Sequence, residues 1–429
     1  MKEYKGYLIV VLACLTTTGL WILSKSDLGS VVASPFIAIG QLLALLGLVL
    51  MAANLFFATK SRLIEKYVSG LDKMYIIHRL TGSFAFVFLV QHPLFFVLSV
   101  LPNKVLAYRY LLPGADISYN LGIFAEYLLV LTFIFIVVIK LPYHLWKIAH
   151  KLTGIVFILG VLHALSIGSD IAVYLPLKIW IYLVAVVGLL SYIYTTLFYR
   201  KLGPRYDYLL AKIEVLSDVV NLYLKPIMRQ LHFDAGQFCY IDVESDLTGR
   251  ELHPFTISSG QIDGLVRVSA KKSGDYTHKL EHLSLGSKVN IYGPYGTFLS
   301  DIPDVDGKVV LVAGGIGITP FLSLVQRNIL NAKYSKLSLI YSVKNLGDAI
   351  FTDELNLHIK KMKDSHLQVW ATSDKGRITC SDLSTINNGL DRTKYYFCGP
   401  KLMMESLTKQ LTSLGVRRDD ISFEDFSFL

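Results

Sequence analysis

Long apolar runs alternate with short polar loops through the first 200 residues. Six runs lie near 6–24, 35–58, 74–101, 119–139, 146–168 and 176–198. Each is close to the twenty or so apolar residues that cross a bilayer, so the pattern predicts six transmembrane helices. The first run has some features of a signal peptide, but it is too long and no small-residue cleavage site follows it. We therefore interpret it as the first membrane helix.

From residue 205 the pattern changes to short alternating segments. The segments KIEVLSDVVNLYL, QFCYIDV, GLVRVSAK and KVNIYG predict an antiparallel β-barrel. After Gly307, strand-like KVVLVAGG, LSLIYSV, LQVWATS and YYFCGP alternate with helical segments, which indicates a parallel, doubly wound α/β sheet. We expect a membrane domain over 1–200, a barrel domain over 205–303 and an α/β domain over 304–429.

Charge follows the loops between the apolar runs. The chain is 53% hydrophobic and 17% charged, with a net charge of +9. Basic residues concentrate in the loops on one side of the six runs: Lys60, Arg62, Lys66, Lys73, Lys140, Lys147 and Lys151. The positive-inside rule puts these loops and both termini in the cytosol of a multi-pass plasma-membrane protein. The basic charge therefore indicates a lipid surface rather than nucleic acid.

Four histidines lie inside two of the apolar runs. His78 and His92 lie fourteen residues apart in the third run, and His150 and His163 thirteen apart in the fifth. These separations correspond to rises of roughly 21 and 20 Å, so two pairs can form at two depths. Ionisable side chains in hydrocarbon are costly and usually functional. A lone histidine is often only hydrogen-bonded in a bundle, but four with matched spacing predict two bis-histidine b-type haems.

Helical geometry complicates the second of these runs. On an ideal helix His150 and His163 point roughly 140° apart, which predicts a π-bulge or a bend near Gly154 or Gly160. His144 is an alternative inner ligand. Its depth matches His78 less well, and we expect it in a loop because it closely follows Pro142.

The barrel segment contains a candidate flavin site. HPFTISS, which includes His253, Phe255 and Thr256, offers an aromatic face and polar edge for a flavin ring. Downstream, SGDYTHKL places Gly274 and Thr277 in a turn before a helix, and backbone N–H groups there suit a pyrophosphate. Either motif alone could be an ordinary turn and strand. Their order and spacing predict a flavin site.

The α/β segment contains two glycine loops. AGGIGITP follows a strand and supplies Gly314, Gly315 and Gly317, with Pro320 where a G-x-G-x-x-G motif has its last glycine. Cys398, Gly399 and Pro400 end a later strand, and both loops would line a dinucleotide crevice. A purely structural glycine turn and a buried filler cysteine are the alternatives. We expect Cys398 to approach a nicotinamide.

These motifs occur in the order found in the ferredoxin-reductase superfamily. With GPYG at Gly293–Gly296 and the histidine spacings, residues 6–429 resemble the NADPH oxidase and ferric reductase family, most closely the compact prokaryotic NADPH oxidases. The resemblance implies FAD contacts at His253, Pro254, Phe255, Thr256, Ser258, Gly274 and Thr277. It implies NADPH contacts at Gly314, Gly315, Gly317, Thr319, Pro320, Cys398, Gly399 and Pro400.

Three further residues are predicted to contact the nucleotide or the flavin. Lys344 follows a strand and Arg377 sits in a Gly-Arg-Ile turn, so either cation suits the 2′-phosphate or adenosine side of NADPH. Either could equally be a solvated charge, and NADH stays possible. The tail FEDFSFL resembles family endings in which an aromatic covers the flavin; Phe426 is our choice, with Phe428 as the alternative.

Together these features predict an oxidoreductase that moves electrons from cytosolic NADPH through FAD and two haems to molecular oxygen outside, forming superoxide. A ferric-chelate reductase with the same electron path, or a cytochrome b linked to a quinone or partner protein, is the alternative. The cofactors carry the redox chemistry, so no catalytic side chain is assigned. The sequence gives no sign of an obligatory protein partner.

Overall fold

The computed structural model describes residues 5–139, 141–260, 264–302, 308–331, 336–362 and 364–424. The chain divides into two compact units, Met1–Leu202 and Gly203–Leu429. The first is built from apolar helices and the second from two sheets with flanking helices, as the change of hydrophobic pattern predicts.

Within the described residues, six helices are long and apolar enough to cross a membrane. Spans one to six are Lys5–Leu23, Pro35–Phe57, Leu71–Val100, Ile117–Val138, Leu145–Ser166 and Leu175–Leu202. Shorter helices connect them at Leu28–Ala33, Arg62–Val68, Lys104–Arg109 and Asp170–Val173. Asp27 caps the connecting helix Leu28–Ala33 and Asp116 caps span four, because each carboxylate accepts the N–H two residues on. The prediction of six membrane helices is confirmed.

The barrel part of the second unit is an antiparallel sheet. Its strands are β1 Arg205–Leu216, β2 Val219–Pro226, β3 Phe238–Val243, β4 His253–Thr256, β5 Val266–Lys271 and β6 Lys288–Tyr295. They pair in the order β4-β3-β6-β1-β2-β5. A bridge between Ile257 and Val268 joins the two edges, so the sheet curls into the predicted barrel. The helix Asp275–Lys279 follows β5.

The remaining strands form a parallel sheet with helical connections. They are β7 Lys308–Gly314, β8 Leu337–Val343, β9 His366–Ala371, β10 Thr393–Cys398 and β11 Ile421–Glu424, in the order β11-β10-β7-β8-β9. Helices lie at Thr319–Asn331, Thr352–Ile359, Thr372–Lys375, Cys380–Asn387 and Lys401–Ser413. The strand order reverses between β7 and β10, which is the switch point where open α/β sheets bind ligands.

Candidate functional site

The four predicted histidines meet as two pairs between spans three and five. The rings of His78 and His150 lie 5.8 Å apart between centroids and are inclined by 72°. The rings of His92 and His163 lie 6.4 Å apart and are inclined by 60°. We call these the first and the second histidine pair. The pairing is the one that the spacing predicts.

Three of the four rings are oriented through their Nδ1 atoms. The Nδ1 atom of His78 lies 2.9 Å from the Asn54 carbonyl oxygen, and that of His92 lies 2.8 Å from the Gly40 carbonyl. The Nδ1 atom of His163 lies 2.7 Å from the Ser118 carbonyl oxygen. A carbonyl can only accept, so each Nδ1 carries the proton and each Nε2 keeps its lone pair for a metal.

His150 is held differently. Its Nδ1 is buried and has no hydrogen-bond partner among the described residues. Its ring instead stacks on Trp146, with centroids 5.0 Å apart and planes inclined by 7°. Packing rather than a carbonyl therefore orients this fourth ring.

Two expectations about span five are corrected. The helix Tyr143–Ser166 is a continuous α-helix, without the expected π-bulge; the π-helical segments are Ile134–Val138 and Tyr194–Phe198, in spans four and six. Imidazole side chains project several ångströms from the backbone and can adopt different rotamers. The rings of His150 and His163 can therefore both reach span three, although they leave the helix in different directions. His144 lies in the first turn of this helix rather than in a loop, because Pro142 occupies the N-cap.

The second pair lines a cavity of about 350 Å³ inside the bundle. Its walls include His92, His163 and Gly122, and they are mainly apolar. A Cβ atom on Gly122 would lie 2.8 Å from the His163 ring, so only glycine leaves room for that ring. Two metal–nitrogen bonds of about 2 Å each, plus the ring radii, give roughly 6 Å between ring centres. Both pairs therefore fit a metal held between two imidazoles.

The described His, Cys, Asp and Glu side chains include no group of three that would hold a metal ion. A haem needs only two axial side chains, since its macrocycle supplies the other ligands. The spacing, the Nδ1 protons and the apolar cavity agree with that donor set.

The predicted flavin residues meet around Tyr276. The His253 ring stacks on Tyr276 with centroids 3.6 Å apart and planes inclined by 25°, and Phe255 lies 6.4 Å from the same ring. The His253 Nε2 atom is 2.9 Å from the Glu251 carboxylate. Tyr276 belongs to the helix that Gly274 begins, so β4 and this helix form one site. Pro254 and Thr256 lie on β4 beside them.

Three other flavin candidates have structural contacts. The Thr277 hydroxyl oxygen accepts the N–H groups of Ser273 and Gly274, both at 3.0 Å. A Cβ on Gly274 would meet no atom within 4 Å among the described residues, so this exposed turn is open to a ligand. Ser258 is fully buried and its hydroxyl lies 2.7 Å from that of Ser269. Its side chain therefore supports the barrel.

The two glycine loops of the nucleotide site pack against each other at the switch point. A Cβ on Gly317 would lie 2.2 Å from the Cys398 carbonyl oxygen, and one on Gly314 would lie 2.5 Å from Pro400. A Cβ on Gly399 would lie 2.8 Å from the Gly314 backbone. These glycines are therefore required for loop packing, which was the structural alternative. Gly315 differs, because it has a φ of +55° and faces open space where a phosphate could approach.

The remaining residues of these loops are buried. Thr319 is 3% exposed and its hydroxyl donates to the Ile316 carbonyl at 3.0 Å. Pro320 is buried in the first turn of the helix Thr319–Asn331. Cys398 is also fully buried, and burial, together with the Glu424 carboxylate, raises the pKa of its thiol well above the ordinary value. The thiol is therefore protonated and inert at neutral pH.

The two candidate cations lie at the same edge of the sheet. Lys344 follows β8, and its carbonyl accepts the Ser373 N–H at 3.0 Å. Ser373 lies in the short helix Thr372–Lys375, which follows β9 and precedes Arg377. Lys344 and Arg377 are both exposed. Phe426 and Phe428 lie outside the described residues.

Three family models match consecutive parts of the chain. A ferric reductase-like transmembrane component matches residues 43–161, an FAD-binding domain 206–302 and an oxidoreductase NAD-binding domain 311–409. The chain has the ferric reductase and NADPH oxidase-like architecture. It is an oxidoreductase with a ferric reductase-like membrane domain and a ferredoxin-reductase-type module.

Curated relatives resemble the chain over about half its length. Flavohemoprotein A of Dictyostelium discoideum is 28% identical over 233 residues, covering 50% of this chain and 58% of that protein. The ferredoxin reductase component of 3-ketosteroid-9-alpha-monooxygenase of Mycolicibacterium smegmatis is 27% identical over 205 residues, covering 47% and 57%. The chain thus spans a little over half the length of these relatives.

A solved structure supports the fold alone. Flavohemoglobin from Malassezia yamatoensis, with bound FAD and haem, matches with a TM-score of 0.52 and 19% identity, covering 94% of this chain and 99% of that one.

Several contacts of the ferric reductase-like and reductase domains were not predicted. The Asn54 and Gly40 carbonyls that hold two histidines are backbone atoms and leave no mark in composition. The Tyr276 ring was visible in SGDYTHKL, but only its stacking on His253 gives it a role. The buried pair of Arg267 and Glu354 joins residues 87 positions apart.

Proposed function

We propose that the chain moves electrons from cytosolic NADPH across the plasma membrane to molecular oxygen and releases superoxide. The observation that carries the proposal is the meeting of two histidine pairs, at 5.8 and 6.4 Å, in a membrane domain joined to FAD- and NAD-binding domains. When bound, FAD would accept hydride from NADPH and two b-type haems would carry single electrons.

The chain's own residues hold these groups in order. His78 and His150 would ligate one haem, and His92 and His163 the other. His253, Pro254, Phe255, Thr256, Gly274 and Thr277 would form the FAD site, with Tyr276 behind the His253 ring. Gly315 would lie against the NADPH phosphates, and Lys344 and Arg377 would favour NADPH over NADH. The assigned domains are 1–200, 205–303 and 304–429.

Direction across the membrane follows from loop charge. Lys60, Arg62, Lys66 and Lys73 lie on the side of the first histidine pair, so the positive-inside rule makes that side and both termini cytosolic. The second pair then lies toward the outside, where the acceptor arrives. His92 and His163 would both hold the haem of the second pair, so neither histidine would be free to leave it for an incoming acceptor.

The environment of the second pair favours a small, neutral acceptor. Tyr110 and Tyr119 line the cavity beside His92, and Tyr110 stacks on Phe96 with centroids 5.4 Å apart. Arg109 lies 3.7 Å from the Asp116 carboxylate and over the Tyr119 ring. The exposed Asp116 carboxylate offsets part of this charge, which reduces attraction for an anionic chelate. These aromatic side chains support oxygen over a ferric chelate.

The test is NADPH oxidation by the purified protein, loaded with FAD and haem in detergent. Molecular oxygen is the sole electron acceptor. We expect cytochrome c reduction that superoxide dismutase suppresses. Turnover only after addition of a ferric chelate would make the protein a ferric-chelate reductase. No turnover with either acceptor would indicate a cytochrome b that donates to a quinone or a partner protein.

A further inference from the structure

Spans two and three contact each other through residues that are spaced seven or fourteen positions apart. On span two, Gly40, Gly47 and Asn54 follow one another at this interval; on span three, His78 and His92 are separated by twice as much. Gly40 contacts His92 and Asn54 contacts His78, so the two helices run antiparallel in register. A Cβ on Gly47 would lie 2.7 Å from Leu89, which shows how closely they approach.

Asn54 makes two contacts with one residue, His78. Its backbone carbonyl accepts the Nδ1–H of the His78 ring at 2.9 Å. Its side-chain amide donates to the His78 backbone carbonyl. One contact sets the direction of the ring, and the other fixes the backbone from which the ring projects.

Gly82 makes room for this amide. A Cβ atom at position 82 would lie 2.7 Å from the Asn54 Nδ2 atom. Any larger residue would therefore push the amide away from the His78 carbonyl, one turn earlier on the same helix. At the second pair the corresponding position on span two is Gly40, which has no side chain and contributes its backbone carbonyl to His92 Nδ1.

We propose that Asn54 is a positioning residue for the first histidine pair and that Gly82 is required for it to act. The proposal rests on haem ligation by His78 and His150, as proposed above. A fixed Nδ1–H···O=C bond makes an imidazole a stronger donor to its metal, which stabilises the oxidised state. Loosening this bond should therefore raise the midpoint potential of the haem at the first pair.

The test compares Asn54→Leu and Gly82→Ala in the full-length protein with its haems. Redox titration by visible absorption and low-temperature EPR of the oxidised protein report on each haem. His92→Leu, which should retain only the haem at the first pair, assigns the signals. Gly19→Ala is the control, because a Cβ there meets no described atom within 4 Å.

We expect each substitution to raise the potential and shift the low-spin EPR signal of the haem at the first pair only. Loss of that haem alone also supports the proposal. Asn54→Ala combined with Gly82→Ala should match Asn54→Ala, because a side chain that ends at Cβ leaves the extra methyl at position 82 without a contact. If Asn54→Leu does not assemble, Gly82→Ala carries the test.

Three results would overturn the proposal: equal shifts at both haems, no shift in either single variant, or additive effects in the double variant. A wild-type protein with fewer than two bis-histidine haems would instead contradict the proposed function. If two haems are present and neither substitution changes their potentials or EPR signals, only the positioning role of Asn54 is contradicted.

Discussion

Arg267 on β5 holds Glu354 of the nucleotide-binding domain through two parallel hydrogen bonds, with nitrogen–oxygen distances of 2.9 and 2.8 Å. The arginine side chain is only 6% exposed, and the Gln326 amide also donates to the same carboxylate. Planar, bidentate pairs of this kind fix orientation as well as distance. The barrel and the parallel sheet are therefore joined through a buried charge pair.

Removing one partner of this pair should destabilise the second unit. Glu354→Leu leaves the Arg267 guanidinium buried without its carboxylate, which costs about 3 kcal/mol for a buried pair. Because Glu354 is 26% exposed, solvent screening should reduce this cost somewhat. Flavin-release fluorescence during thermal unfolding of the full chain measures it.

The matched control is Glu405→Leu, whose pair with Lys401 at 3.8 Å is exposed on both sides. It should change stability by less than about 1 kcal/mol. The double variant Arg267→Met, Glu354→Leu should recover part of the lost stability. Equal effects of Glu354→Leu and Glu405→Leu would show that this pair contributes no more stability than an exposed one.

Haem stoichiometry tests the histidine pairs. His92→Leu or His163→Leu should remove about one haem per chain, because one remaining axial imidazole does not hold a low-spin haem in this cavity. The pyridine haemochrome absorbance per protein measures the ratio. His144→Leu tests the rival ligand and should keep two haems. A ratio that stays at two in His92→Leu would mean that the ligand set is wrong.

A single methyl group tests the packing of His163. The Cβ of Gly122→Ala would lie 2.8 Å from the His163 ring, so the ring must move. We expect the haem at the second pair to lose occupancy or its low-spin EPR signal while the first is unchanged. Gly114→Ala is the control, because a Cβ at this position in the loop between spans three and four meets no described atom within 4 Å. Unaltered spectra in Gly122→Ala would show that the ring has another position available.

The sequence predicted those features that leave a periodic or compositional trace. The six spans, the pairing of the histidines and the strand order along the second unit follow from apolar periodicity and fixed spacing. The segment KIEVLSDVVNLYL was predicted without its turn, although the structure splits it into β1 and β2 around Ser217, whose φ is +54°. A serine in this conformation is uncommon, so turn chemistry did not reveal it.

Other features depend on tertiary contacts that no local pattern contains. Gly314 and Gly317 were predicted to contact a phosphate, and the structure adds that their missing side chains admit Pro400 and the Cys398 carbonyl. Ser258 was a flavin candidate but is buried against Ser269. In both cases long-range packing gives the residues structural contacts that the motif did not reveal.

The preference for NADPH over NADH tests the role assigned to the two exposed cations that follow β8 and β9. Lys344→Ala and Arg377→Ala should each raise the KM for NADPH about tenfold, equivalent to about 1.4 kcal/mol, because each loses a charged contact to the 2′-phosphate. The KM for NADH should stay unchanged. Lys375→Ala is the matched control, since that ammonium lies over the Trp370 ring, 4.9 Å from its centroid. Equal losses with both nucleotides would remove the assigned role.

Three buried thiols should make the second unit less stable at alkaline pH. Burial raises the pKa of Cys239 to about 12 and that of Cys380 to about 11, and it also raises the pKa of Cys398. In the unfolded chain each thiol ionises near pH 8.5. Above that pH the unfolded state therefore loses protons that the folded state keeps, and stability falls as pH rises.

Each thiol should lower the free energy of unfolding by up to about 1.4 kcal/mol per pH unit between roughly pH 8.5 and 10. Flavin-release melting curves of the full chain across this range measure the slope. Cys380→Ala should make the slope shallower than in the wild type, while Ser381→Ala, an exposed neighbour, should leave it unchanged. Rapid alkylation of Cys398 in the folded protein at pH 8 would contradict its burial, because only an accessible thiolate reacts at that rate.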